Sequence, residues 1–167
     1  MSQQRLPSTS GVRHTLITLA AIGYGTFLAF VVFWPSPVDK PIAAQLDRVI
    51  QELHERGVPG FVDYGFIEFT ANIALFIPVG FILGLAIPVR WWMLALILGP
   101  TLSAAIEMIQ HALLDARYSA ISDVIANSVG ATIGLFIAVL LRATVHARDQ
   151  RVIARHEALA RARPLQT

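Results

Sequence analysis

The stretch from Glu107 to Asn127, EMIQHALLDARYSAISDVIAN, sets a dense series of polar and ionisable residues between two long apolar runs. Glu107 and Gln110 close the first run, Asp123 and Asn127 open the second, and His111, Asp115 and Arg117 lie between them. A charge at the end of a membrane span reaches water, whereas a carboxylate inside one is costly and is ordinarily paired or functional. The flanking runs decide the fold, and the polar stretch marks where a site would form near one membrane face.

The chain around this stretch is unusually apolar. Of 167 residues, 55% are hydrophobic and only 14% are charged, and the mean hydropathy is +0.61. These values lie outside the soluble range, and the apolar residues come in blocks, which points to membrane spans. The chain has no cysteine, which excludes a disulfide, a thiolate zinc site and a cysteine nucleophile. The expected fold is all-α, a polytopic membrane bundle of four transmembrane helices.

About 20 apolar residues cross a hydrocarbon core, and four such spans are predicted, over 15–34, 68–87, 91–110 and 121–141. Residues 1–14 form a polar tail. The first run exceeds a signal-peptide core and WPSP follows it instead of a small-residue cleavage site, so it is read as a retained span. Residues 35–67 make the one long loop. Within it Ile42, Leu46, Val49, Ile50 and Leu53 recur at helical spacing among Asp47, Arg48, Glu52 and Glu55, which predicts an amphipathic helix capping the spans or lying on the membrane surface. The tail 142–167 carries Arg142, Arg148, Arg151, Arg155, Arg161 and Arg163, and reads as a basic helix that fixes topology rather than one that binds nucleic acid.

Lysine and arginine counts set the orientation. With both termini cytoplasmic, the inner segments hold Arg5, Arg13, Arg90 and the six tail arginines, against Lys40, Arg48, Arg56 and Arg117 outside. The expected location is thus the plasma (inner) membrane, with the loop helix extracytoplasmic and the basic tail on the anionic inner leaflet. This topology brings Glu68 and Asn72 from span 2 to the same outer level as Glu107, Gln110, Asp123 and Asn127. At 100° per residue, Pro100, Ser103, Glu107, Gln110 and His111 share a sector of about 100°, and Asp123, Asn127, Gly130 and Gly134 one of about 60°. Gly80-x-x-x-Gly84 and Gly130-x-x-x-Gly134 are close-packing motifs. Pro78 and Pro100 each remove one backbone hydrogen bond inside a span.

Asn72-Ile-Ala-Leu-Phe-Ile-Pro78-Val-Gly80 resembles the N-x-x-x-F-x-P-x-G signature of VanZ-like membrane proteins. Ser103-x-x-x-Glu107-x-x-Gln110, then Arg117, then Asp123-x-x-x-Asn127-x-x-Gly130 is similar to the rest of that pattern, so the resemblance covers roughly residues 68–140. It implies a cell-envelope protein, and the family's namesake is linked to resistance to the glycopeptide antibiotic teicoplanin. The pattern singles out Asn72, Glu107, Gln110, Arg117, Asp123 and Asn127 as ligand-binding candidates; Ser103 from the same pattern and Glu68 from the topology are candidate contributors, and His111 and Asp115 are not carried over.

The leading reading is a site for a polar or anionic envelope ligand, a lipid head group or cell-wall precursor. The carboxylates would accept hydrogen bonds, the amides orient the ligand, and Arg117 would meet a phosphate or carboxylate. One alternative is a structural network that only fixes helix packing; another is an acid–base enzyme acting on lipid-linked substrates. No serine elbow, phosphate loop or dinucleotide fingerprint supports catalysis, so no catalytic residue, metal or cofactor is assigned and the enzyme question stays open. Transport comes last, since no span carries a charge in its cytoplasmic half. Membrane lipids are the expected partners, nucleic acid is not, and oligomerisation stays open.

Overall fold

A computed structural model describes residues 11–33, 40–113 and 121–162. Among these residues the protein is all-helical, with α1 Gly11–Val32, α2 Ala43–Glu55, α3 Tyr64–Ala86, α4 Trp92–Leu113 and α5 Ile121–Ala162. Four of them, α1, α3, α4 and α5, are long and apolar enough to cross a membrane. At 1.5 Å per residue α1, α3 and α4 are each about 33–35 Å long, matching a hydrocarbon core of about 30 Å. The surface is apolar as well: Leu16, Leu19 and Ile22 of α1, Met93 and Ile97 of α4, and Phe136 and Leu140 of α5 are all exposed. Such a continuous apolar exterior is stable only against lipid.

Helix α5 is the central element. It packs most extensively on α3, next on α4, while α1 leans on α3. The α3–α5 seam is made of backbone against backbone. A methyl group at Gly80 would collide with the Ala131 carbonyl, and one at Gly84 would sit 2.6 Å from the Ala138 methyl. From the other side, Gly130 meets the Ile73 carbonyl and Gly134 the Ile77 carbonyl. Lipid tails remove the hydrophobic drive between helices, so dispersion contacts at short separation must supply the adhesion, and only small residues allow it. Gly99 of α4 closes on Ala131 in the same way. A compact cluster of Leu28, Val32, Phe76, Val79, Ile106 and Ala131 fills the space where α1, α3, α4 and α5 meet.

Helix ends depart from the spans read in the sequence. Helix α3 starts at Tyr64, four residues before the expected span, because the Asp63 side chain accepts from the Phe66 amide at 2.8 Å and caps it. Helix α1 starts at Gly11, inside the expected tail. The last expected span and the basic segment form one uninterrupted helix of 42 residues, about 63 Å long; no glycine or proline interrupts it beyond Gly134. Helix α2 buries Ile50 alone, leaving Val49 and Leu53 exposed, as is Ile42 just before it. Its apolar stripe therefore faces outward, as on a helix lying at a membrane surface.

The seam predicts a sharp contrast between glycines. Gly80→Ala and Gly134→Ala are expected to destabilise the detergent-solubilised protein by about 1–3 kcal/mol through overpacking. Gly23→Ala, whose new methyl meets nothing within 4 Å, gains up to about 1 kcal/mol of helix propensity. Thermal unfolding followed by circular dichroism checks both signs.

Candidate functional site

Polar side chains from α3, α4 and α5 gather at one end of the bundle, around the C-terminus of α1. On α4 the residues facing inward are Ala95, Gly99, Ser103, Ile106, Glu107 and Gln110, a stripe at helical spacing that turns from small to polar along the helix. Ser103 is fully buried and Glu107, Gln110 and Asn127 are nearly so. Burial of four polar side chains in one place requires that they find partners.

The partners are mostly one another. Asn72 of α3 donates through Nδ2 to Oδ1 of Asp123 at 3.2 Å, linking α3 to α5. Asp123 lies in the first turn of α5, where the positive end of the helix dipole favours a carboxylate. Asn127, one turn further, donates through Nδ2 to Ser103 Oγ at 3.0 Å and ties α5 to α4. Gln110 reaches across to α1 and donates to the Val32 carbonyl at 2.9 Å, satisfying an orphan carbonyl at that helix end. Three interhelical bonds thus join four helices at one level.

One acceptor is left over. Oδ1 of Asn127 is buried and has no hydrogen-bond partner among the described residues. Exchanging the amide's oxygen and nitrogen does not remove the vacancy, because Ser103 engages only one of the two. The cluster therefore has one acceptor to spare among the described residues, Asn127 Oδ1, in a group that also holds Glu107 and Asp123. It suits a hydroxyl or ammonium group. Among the described residues, no group of three or more His, Cys, Asp or Glu is placed to hold a metal ion.

The sequence-derived candidates are not all brought together. Asn72, Ser103, Glu107, Gln110, Asp123 and Asn127 converge. Glu68 lies one turn from Asn72 on α3 and is exposed. Arg117 lies outside the described residues, as do Asp115 and the side chain of His111.

Two anchoring residues escaped the sequence reading. Tyr24 of α1 donates to the Leu75 carbonyl at 2.6 Å, next to Ala74, whose carbonyl loses its helical donor to Pro78. Arg142, read as part of a solubilising tail, donates through Nη1 to the carbonyls of Gly84 at 2.7 Å and Ile87 at 2.6 Å. A signal for it was present in the sequence: Pro88 has no N–H to offer the Gly84 carbonyl four residues earlier, so that carbonyl needs a donor from elsewhere.

If the Ser103–Asn127 bond joins α4 to α5 as the geometry has it, a double-mutant cycle with Ser103→Ala and Asn127→Ala should give a coupling of about 0.5–1.5 kcal/mol, the range for interhelical bonds in membranes. Unfolding titrations of the four proteins in mixed micelles measure it, and strict additivity would contradict the bond.

Comparison with curated proteins and with solved structures finds no match to this chain. The model of the VanZ/LLP1 family does match, over residues 21–142. That match runs from α1 through the loop helix to the arginine that caps α3, and takes in every buried member of the polar cluster. It covers well over half of the 167 residues, and the chain belongs to the VanZ/LLP1 family.

Proposed function

We propose that this multi-pass membrane protein binds a polar or anionic ligand of the cell envelope, a lipid head group or cell-wall precursor, in the cluster formed by Asn72, Ser103, Glu107, Gln110, Asp123 and Asn127. The observation that carries the reading is the buried Oδ1 of Asn127, which has no hydrogen-bond partner among the described residues. Leaving a buried acceptor unmet costs about 1–3 kcal/mol, a cost that a ligand's donor group would remove. Glu107 and Asp123 add acceptors for hydroxyl or ammonium groups, and Arg117 would serve an anionic part of the same ligand through bidentate contact. A site of this kind would connect the protein to glycopeptide response through access to cell-wall precursors at the membrane.

The reading carries an orientation: plasma (inner) membrane, both termini cytoplasmic, cluster and α2 extracytoplasmic. Its support is the excess of arginine on the end bearing Arg13, Arg90 and the second half of α5. A second reading, a network that only fixes packing, is favoured by the Gln110–Val32 and Ser103–Asn127 bonds, which already use much of the cluster's capacity.

Binding of a lipid-linked cell-wall precursor and of phosphatidylethanolamine to the purified protein, followed by thermophoresis, separates the two. On the binding reading one of these lipids binds, and Glu107→Gln and Asn127→Leu each weaken it about tenfold or more, as expected for loss of a hydrogen bond to a charged or buried partner, at unchanged membrane level. Loss of protein in step with loss of binding would favour packing alone, as would no binding of either lipid.

The absence of cysteine makes orientation directly measurable. Gly60→Cys is expected to react with an impermeant maleimide on intact cells, and Gln150→Cys only after permeabilisation. The reverse pattern would invert the topology.

A further inference from the structure

The opposite end of the bundle holds a second feature that the polar cluster does not explain. A cavity of about 640 Å³ opens between the first turn of α1, the end of α3 and the middle of α5. Its walls include Leu85, Val139 and Val145, and its polar groups are Arg13, Arg142, His146 and Asp149. Trp91, in the turn between α3 and α4, and Trp92, the first residue of α4, are exposed and mark this level as a membrane–water interface. The cavity thus combines an apolar lower wall with cationic groups at head-group depth.

Its charge is unbalanced. Arg13 lies close enough to Arg142 for the two like charges to act on each other. Among the described residues neither guanidinium forms a salt bridge; the ion pairs there are Arg56–Glu52 and Arg161–Glu157. Asp149 lines the cavity without closing on either arginine, so the local balance is positive. Arg142 is also held in place. Both of its bonds to the end of α3 use Nη1, and Nε and Nη2 keep three N–H donors for an oxyanion. A guanidinium fixed by backbone carbonyls and facing a second cation is pre-organised for phosphate.

The geometry points to a binding site for the phosphate of an anionic phospholipid, seated between Arg13 and Arg142 with its acyl chains along Leu85, Val139 and Val145. The apolar walls and the interfacial depth favour a membrane lipid over a soluble phosphate. Basic pockets between membrane helices bind acidic head groups by this combination of charge and depth. The site is independent of the ligand cluster, which lies at the other end of α3 and α5.

Native mass spectrometry of the full-length protein in micelles, with dioleoyl phosphatidylglycerol or dioleoyl phosphatidylcholine added, tests the assignment. Phosphatidylglycerol is expected to bind more tightly than phosphatidylcholine, and Arg13→Gln to weaken it about fivefold, the effect of one basic residue at an anionic surface. Arg13 makes no hydrogen bond or ion pair among the described residues, so its substitution leaves the fold intact. Arg155→Gln, on the exposed outer part of α5, should leave binding unchanged, and glycerol phosphate at equal concentration should not displace the lipid. Equal binding of both lipids, an unaltered Arg13→Gln variant, an equal loss in Arg155→Gln, or displacement by glycerol phosphate would each overturn it.

Discussion

The contact between the backbones of α3 and α5 is the constraint on which the rest of the bundle depends. In lipid, an apolar side chain gains little by leaving the acyl chains for a neighbouring helix, so adhesion has to come from close approach. Gly80 and Gly84 on one helix and Gly130 and Gly134 on the other bring main chains together where any side chain would collide. The polar cluster begins just beyond this seam. Asn72 lies two turns before Gly80 on α3, and Asp123 and Asn127 lie within two turns of Gly130 on α5. A spacing wide enough for larger residues along the seam would carry Asn72 out of reach of Asp123.

A second rule organises the ends of the helices. At the ends of α1 and α3 the free backbone carbonyls are met by side chains from other helices. Gln110 of α4 takes the carbonyl of Val32 at the end of α1, and Arg142 of α5 takes those of Gly84 and Ile87 at the end of α3. Tyr24 of α1 bonds α3 beside the carbonyl that Pro78 frees. In a membrane these groups have no water to turn to, so each bond both satisfies the backbone and fixes one helix against another. The two ends of the protein then differ in sign: acceptors at the Asn127 end, guanidinium donors at the Arg142 end. Among the described residues, the unpartnered Asn127 Oδ1 stands out at one end, and Arg13 and Arg142, neither of which forms a salt bridge there, at the other.

Much of this was readable in the chain itself. Apolar runs long enough to cross hydrocarbon give four helices without reference to any neighbour, since a helix satisfies its own backbone. The one-sided placement of Ser103, Glu107 and Gln110, and of Asp123 and Asn127, follows from 3.6 residues per turn. So do the glycine pairs on a single face. Alternation of spans then requires the starts of α3 and α5 to share a membrane face with the end of α4, which is why Asn72, Ser103, Glu107, Gln110, Asp123 and Asn127 could be grouped before any contact was known.

Partner choice could not be read this way, because it depends on rotation and distance between helices that no spacing encodes. Glu68 and Asn72 share a face of α3 one turn apart, yet Glu68 is exposed and Asn72 is half-buried and bonded to Asp123. Asn72 bonds Asp123 rather than Asn127, and Ser103 takes Asn127, as the offset between α3, α4 and α5 dictates. Composition made Arg142 one of six tail arginines; the approach of α5 to the end of α3 made it a cap. Local spacing therefore determined which residues are polar, inward-facing and near one surface. Tertiary packing alone decided which of them bond, and that Asn127 Oδ1 is left without a donor among the described residues.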